Sequence, residues 1–241
     1  MSGQIIRLQR ARLDAPPQRD SGPAEQRFAE GAPDQQVERL FASRRLLTEL
    51  EDRRPLRELF PADEAAKLAG AALAWADPEA GAVVLLDAVH LIRYPDGASE
   101  RWHHIIIKTR NEAGVDACRT LDAPAGLAGD GEIEVARTLK ADGRAVEAEK
   151  GFGEVAFTDL GPGDVVEIRY VTRQGPIPGL AEHFWHEHTF QHGFPCLKSR
   201  FALLAPAGWR ADTRLHNIAI GPRLSKHGEW QLEVWEAEKL A

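Results

Sequence analysis

From Gly81 to its end, the chain is punctuated by turn signals roughly every eight to twelve residues, with no helical periodicity between them. That rhythm constrains the fold more than any other feature. Strands joined by connections this short pair antiparallel, because a parallel crossover needs about a dozen residues or more. AVVLLDAVHLIRY (82–94) and SERWHHIIIKTR (99–110) flank the turn PDG and read as a long hairpin. EIEVARTLK (132–140) and RAVEAEK (144–150) flank ADG. LGPGD (160–164) leads into DVVEIRYVTRQ (164–174). Alternation there puts Val166, Ile168 and Tyr170 on one face and Glu167 and Arg169 on the other. HFWHEHTFQH (183–192), CLKSRFALLAP (196–206) and a last pair, RADTRLHNI (210–218) and WQLEVWEAE (230–238), complete the set. NEAG (111–114) reads as a further turn and VDACRTLD (115–122) as a strand. The expected fold is mainly β: an antiparallel two-layer β-sandwich over residues 80–241.

The first third is different. Residues 1–33 are rich in Pro, Gly, Ala and charge beyond residue 13, and read as a disordered or linker segment. The opening MSGQIIRLQRARL carries Arg7, Arg10 and Arg12 without an acid, and reads as a frayed terminus. Residues 34–79 form a helical extension. Asp34 is placed to cap a helix whose Val37, Leu40, Phe41, Leu47 and Leu50 recur at helical spacing, and Pro55 ends it. A second helix is expected from about Ala62 to Trp75.

Charge and composition remove several functions. A net charge of −7 opposes a nucleic-acid surface, which needs a basic patch to displace counterions. No apolar run approaches the roughly 20 residues a membrane-spanning helix needs. GLAGDGE (126–132) and LGPGD match neither phosphate-loop pattern and read as tight turns.

The densest chemistry is HFWHEHTFQH, which holds His183, His186, His188 and His192. On a strand His186 and His188 share a face and could both reach one zinc ion. His183 has the opposite parity, and His192 lies roughly 13 Å beyond His188. The segment therefore offers two ligands where zinc takes three or four, and a third would have to be His90, His103 or His104. The plainer reading is a strand half buried by its aromatics. Cys118 and Cys196 sit in strand-like text, without the helix start that activates a catalytic thiol. Trp102, Trp185, Trp209, Trp230 and Trp235 fall in the β-rich part, where core filling is favoured over an exposed binding platform. No residue is assigned as catalytic, cofactor-binding or metal-ligating.

The order of signals resembles a known family. YPDG (94–97), TRNEAG (109–114), ARTLKADG (136–143), DLGPGDVVEIRY (159–170), PIPG (176–179), PCLKSRFALLAPAGW (195–209) and LEVWEAEKLA (232–241) are similar to the DUF3857 family. This is the β-rich domain that precedes a transglutaminase-like domain in many bacterial proteins. The resemblance implies a sandwich fold and a Cys-His-Asp triad in a following domain. It further implies that this chain is a piece of a longer protein, with export to the cell envelope as the corresponding location. The expected function is a non-catalytic accessory domain that positions its neighbour or helps bind a protein or peptide substrate. Two alternatives remain: a metal-dependent enzyme built on the histidine strand, and a stand-alone carbohydrate- or protein-binding sandwich.

Overall fold

The computed structural model describes residues 4–10, 33–122, 131–151, 154–180, 182–190 and 193–240. Within them lie three helices, α1 (Pro33–Leu50), α2 (Ala65–Ala69) and α3 (Glu112–Cys118). The strands are β1 (Ile5–Arg10), β2 (Ala82–Arg93), β3 (Ser99–Thr109), β4 (Thr120–Asp122), β5 (Gly131–Leu139), β6 (Ala145–Glu147) and β7 (Glu149–Lys150). They continue with β8 (Glu154–Ala156), β9 (Val165–Gln174), β10 (Phe184–Thr189), β11 (Cys196–Pro206), β12 (Asp212–His216), β13 (Arg223–His227) and β14 (Trp230–Leu240).

The frame is an eight-stranded sheet in the order β13-β14-β11-β2-β3-β9-β5-β6. Its pairs are antiparallel except β11 with β2, which run parallel. That exception is possible because more than a hundred residues separate the two strands in sequence. Strand β2 is buried along almost its whole length, so AVVLLDAV reads as an apolar run rather than an alternation.

Both faces of this sheet are covered. On one face the small sheet β10-β1-β12 closes over Val89, Leu91, Phe201, Leu203 and Trp235. Beside it, the strands β4-β8-β7 and α3 close over Ile107, Ala136, Val166 and Ile168. The mainly-β, layered sandwich therefore stands. On the opposite face, the segment before the β-rich part forms the cover. Phe60 packs on Ile92, Ala202, Leu204 and Val234, and Ala65 and Ala76 pack on Val83, Leu86, Ala88 and Ile106.

Several expectations are corrected. Residues 5–10, read as part of a disordered arm, form β1 between β10 and β12. Ile6 and Leu8 are the reason, since both are fully buried in the sandwich core. The sandwich is thus completed by a strand from outside 80–241. The linker reading of residues 14–32 lies outside the described residues, as does GLAG of GLAGDGE. The second helix shrinks to α2, preceded by a 3-10 turn at Leu56–Leu59. NEAG is a helix start and not a turn: the Asn111 Oδ1 accepts the Gly114 N–H at 3.2 Å, an N-cap. Consequently Cys118 ends a helix rather than sitting in a strand. RADTRLHNI and WQLEVWEAE are not partners. β12 pairs with β1, whereas β14 pairs with β11 and β13.

Candidate functional site

Among the described residues strand β10 is an edge strand, hydrogen-bonded to β1 on one side. Its parity is as the alternation requires. His186 and His188 turn inward with Phe184, and the Phe190 that follows the strand is fully buried. His186 stacks on Phe201 at 4.8 Å and His188 meets Phe190 edge-on at 4.6 Å. Burial pushes the His186 imidazole down to about 3, helped by His188 and Arg101 nearby, so it is neutral in the fold. Outward face Trp185, 67% exposed, and Glu187, which accepts from Arg7 Nε at 2.7 Å. His183 precedes the strand and is exposed, and His192 lies outside the described residues. The aromatic packing of His186 and His188 is that of core side chains.

The three histidines proposed as a third ligand sit on the large sheet, each otherwise engaged. His90 stacks on Phe60 at 4.6 Å, and burial lowers it to about 3. His104 Nε2 hydrogen-bonds Glu167 at 2.9 Å. Burial raises the Glu167 carboxyl, but hydrogen bonds from His104 and Arg137 outweigh that and hold it below its usual range. His103 bridges Asp87 and Tyr170. With a neutral ring, the Tyr170 O–H donates to Nδ1 and the Nε2–H donates to the Asp87 carboxylate, and burial pushes the Tyr170 phenol up to about 12. Ser199, the register partner of Asp87, is fully buried. Among the described residues no three His, Cys, Asp or Glu side chains converge as a metal site.

The cysteines are both buried and free. Burial pushes the Cys118 thiol up to about 11 and Cys196 up to about 12, the opposite of an activated thiol. Trp235 is buried in the core, and Trp102, Trp209 and Trp230 are half-buried. Trp185 is the one strongly exposed tryptophan among those described, so no aromatic platform forms there.

Two clefts remain. One of about 530 Å³ lies on the helical side and carries both signs of charge: Arg57 and Arg169 reach Glu134 at 3.5 and 2.9 Å, and Arg54 reaches Glu58 at 3.2 Å. The other, about 520 Å³, runs between β10 and the ends of β2, β3 and β9. Arg93, Arg101 and Arg173 line it, with Ile177, Leu180 and Trp185 at its rim, and its lining among the described residues includes no carboxylate. Sequence reasoning missed this cleft, because the residues that form it are scattered over five segments.

One family profile matches part of the chain. Residues 154–241 match DUF3857. DUF3857 is described as a domain of unknown function with a solved structure. The match runs from β8 to the end of the chain and includes the histidine strand, whereas YPDG, TRNEAG and ARTLKADG precede it. No curated protein matches the chain. Among solved structures, a candidate protease from Parabacteroides distasonis ATCC 8503 is 11% identical with a TM-score of 0.55, over 66% of this chain and 36% of that one. An M1 zinc metallopeptidase from Deinococcus radiodurans is 12% identical with a TM-score of 0.38, over 66% of this chain and 39% of that one. The chain thus spans little more than a third of the length of these proteins. At such identity the first likeness is one of fold.

Proposed function

We propose that this DUF3857-bearing chain is a non-catalytic accessory domain that packs against and positions a following transglutaminase-like domain. The observation that supports it most is the outer face of α1. Leu46, Leu47 and Leu50 are 55%, 54% and 73% exposed there, although Phe41 one turn earlier is fully buried. Three adjacent exposed leucines on a helix otherwise anchored to the sandwich mark a contact surface. The anchor is specific: Phe41 meets Tyr94 edge-on at 5.8 Å, and the Arg44 guanidinium lies 3.9 Å from the Tyr94 ring centre and donates to Asp96 at 2.5 Å. The P. distasonis candidate protease adds support, because the shared fold there occupies 36% of a longer chain.

The test is the variant Leu46→Ser/Leu47→Ser/Leu50→Ser, compared in this chain alone and in the longer polypeptide carrying the transglutaminase-like domain. The reading expects an unchanged Tm for the chain alone and a lowered Tm for the longer protein. An equal Tm for wild type and variant in both settings refutes it.

A further inference from the structure

We propose that the cleft beside β10 binds an extended peptide segment that carries a carboxylate next to a bulky apolar side chain. This goes beyond the packing of a following domain on α1, and holds whether or not that packing occurs.

Three features of the cleft select such a ligand. The first is charge. The chain as a whole carries 37 acidic and 30 basic residues, yet among the described residues this cleft is lined by Arg93, Arg101 and Arg173 and by no carboxylate. The three are not equivalent. Arg93 is buried and donates to the Tyr94 carbonyl. Arg173 borders the cleft, but its side chain turns to the other face of the sheet with its register partner Glu100, at 3.8 Å, and Glu132, at 3.5 Å. Arg101 donates only to the neutral Thr172 hydroxyl, at 3.3 Å, and has no carboxylate partner among the described residues. A half-buried guanidinium without a carboxylate partner among the described residues, beside Arg93, favours a carboxylate that it can grip through two parallel N–H bonds.

The second feature is the rim. Ile177, Leu180 and Trp185 are 47%, 45% and 67% exposed and all border the same cleft. Large apolar groups held open at the mouth of a charged cleft match an apolar side chain beside the carboxylate. The third is the backbone. Among the described residues β10 pairs with β1 on one edge only, and Phe184 and Trp185 of β10 line the cleft. The other edge offers N–H and C=O groups to an added strand, and such pairing supplies affinity independent of side chains. A small anion would use the first feature alone. An extended acidic-apolar peptide uses all three.

The experiment is fluorescence anisotropy on the whole chain, with four labelled eight-residue probes. These are a peptide alternating Glu and Leu with an amidated C-terminus, its Gln/Leu and Lys/Leu counterparts, and a Gln/Leu peptide with a free C-terminal carboxylate. Acetate serves as the small-anion competitor. Binding is expected for the Glu/Leu peptide, and about tenfold weaker binding for Gln/Leu amide and for Arg101→Gln, the size of one lost charge-assisted pair. Recovery of tightness by the free C-terminus would assign the carboxylate to a chain end; no recovery would assign it to side chains, and either result keeps the proposal. Trp185→Ser, at an exposed position, should weaken the Glu/Leu peptide while leaving Tm unchanged. Equal binding of the Glu/Leu and Lys/Leu peptides would overturn the proposal. So would full displacement by millimolar acetate, no binding of any probe, or unchanged affinity in a folded Arg101→Gln variant.

Discussion

The backbones of Gly81 and Gly114 lie against each other: a Cβ on Gly114 would stand 1.8 Å from the Gly81 carbonyl oxygen and 2.4 Å from its carbon. That carbonyl also accepts the Arg110 N–H at 2.8 Å, so the start of β2 and the start of α3 are locked at one point. Any side chain at 114 must push backbone, not a flexible side chain. Gly114→Ala is expected to cost about 2–4 kcal/mol, well above an ordinary helix substitution, where Ala is favoured over Gly. Urea unfolding measures it, and a neutral or stabilising result would mean the two backbones do not touch.

Strand β1 makes a second prediction. Ile6→Ala and Leu8→Ala should each cost about 2–4 kcal/mol, because both side chains are buried beneath the small sheet. Arg7→Ala should cost less than about 1 kcal/mol, since its pair with Glu187 is 50% and 30% exposed. A frayed terminus would leave all three variants at wild-type stability, so the contrast between 6 or 8 and 7 is the quantity to measure.

Acid should weaken the fold from a defined point. His90 and His186 are held near 3 by burial, far below their ordinary 6.5, so the unfolded chain takes up protons that the folded chain refuses. Their contribution is complete above about pH 6.5 and falls as pH drops toward 3, at up to about 1.4 kcal/mol per pH unit for each. Glu167 and Glu236 add a later loss. Burial raises each, but hydrogen bonds from His104 and Arg137, and from Arg200, bring both below their usual range, so their stabilisation fades below about pH 4.5. Urea midpoints at pH 7.5, 6, 5 and 4 should be flat and then decline. His186→Leu should leave stability at pH 7.5 intact and make the decline shallower by the share of one histidine; an identical slope would show that His186 titrates normally.

The cysteines should be silent. With both thiols buried and raised to about 11 and 12, iodoacetamide at pH 7 should modify neither on the time scale that labels a free thiol in solution, and both should react once urea unfolds the chain. Fast labelling of one of them in the native state would point to an activated thiol.

Much of the β architecture is legible in the residues, because turn chemistry and alternation act locally. Val166, Ile168 and Tyr170 face the core as their spacing requires, and Phe184, His186 and His188 share the inner side of β10. What escapes is set by distant partners. IIRLQR is only six residues of mixed text, and becomes a strand because β10 and β12 present edges to both its sides. NEAG is ambiguous by chemistry, since an Asn that starts a turn and an Asn that caps a helix make the same local bond. Leu47 and Leu50 recur with Phe41 at roughly helical spacing, yet only Phe41 is buried, because at about 3.6 residues per turn positions six and nine residues further on fall on the far side of the helix. The arginine-lined cleft was invisible in the sequence. Arg93 and Arg101 belong to one hairpin, but Ile177, Leu180 and Trp185, which face them across the cleft, are roughly eighty residues away and join them only when the fold is complete.

Hydrogen exchange along α1 gives the most direct test of the proposed accessory role, comparing this chain alone with this chain joined to a transglutaminase-like domain. If the two domains pack through Leu46, Leu47 and Leu50, the amides of residues 43–50 exchange more slowly in the longer protein, while those of β2 and β11 are unchanged. Identical exchange in residues 43–50 in the two proteins would contradict it.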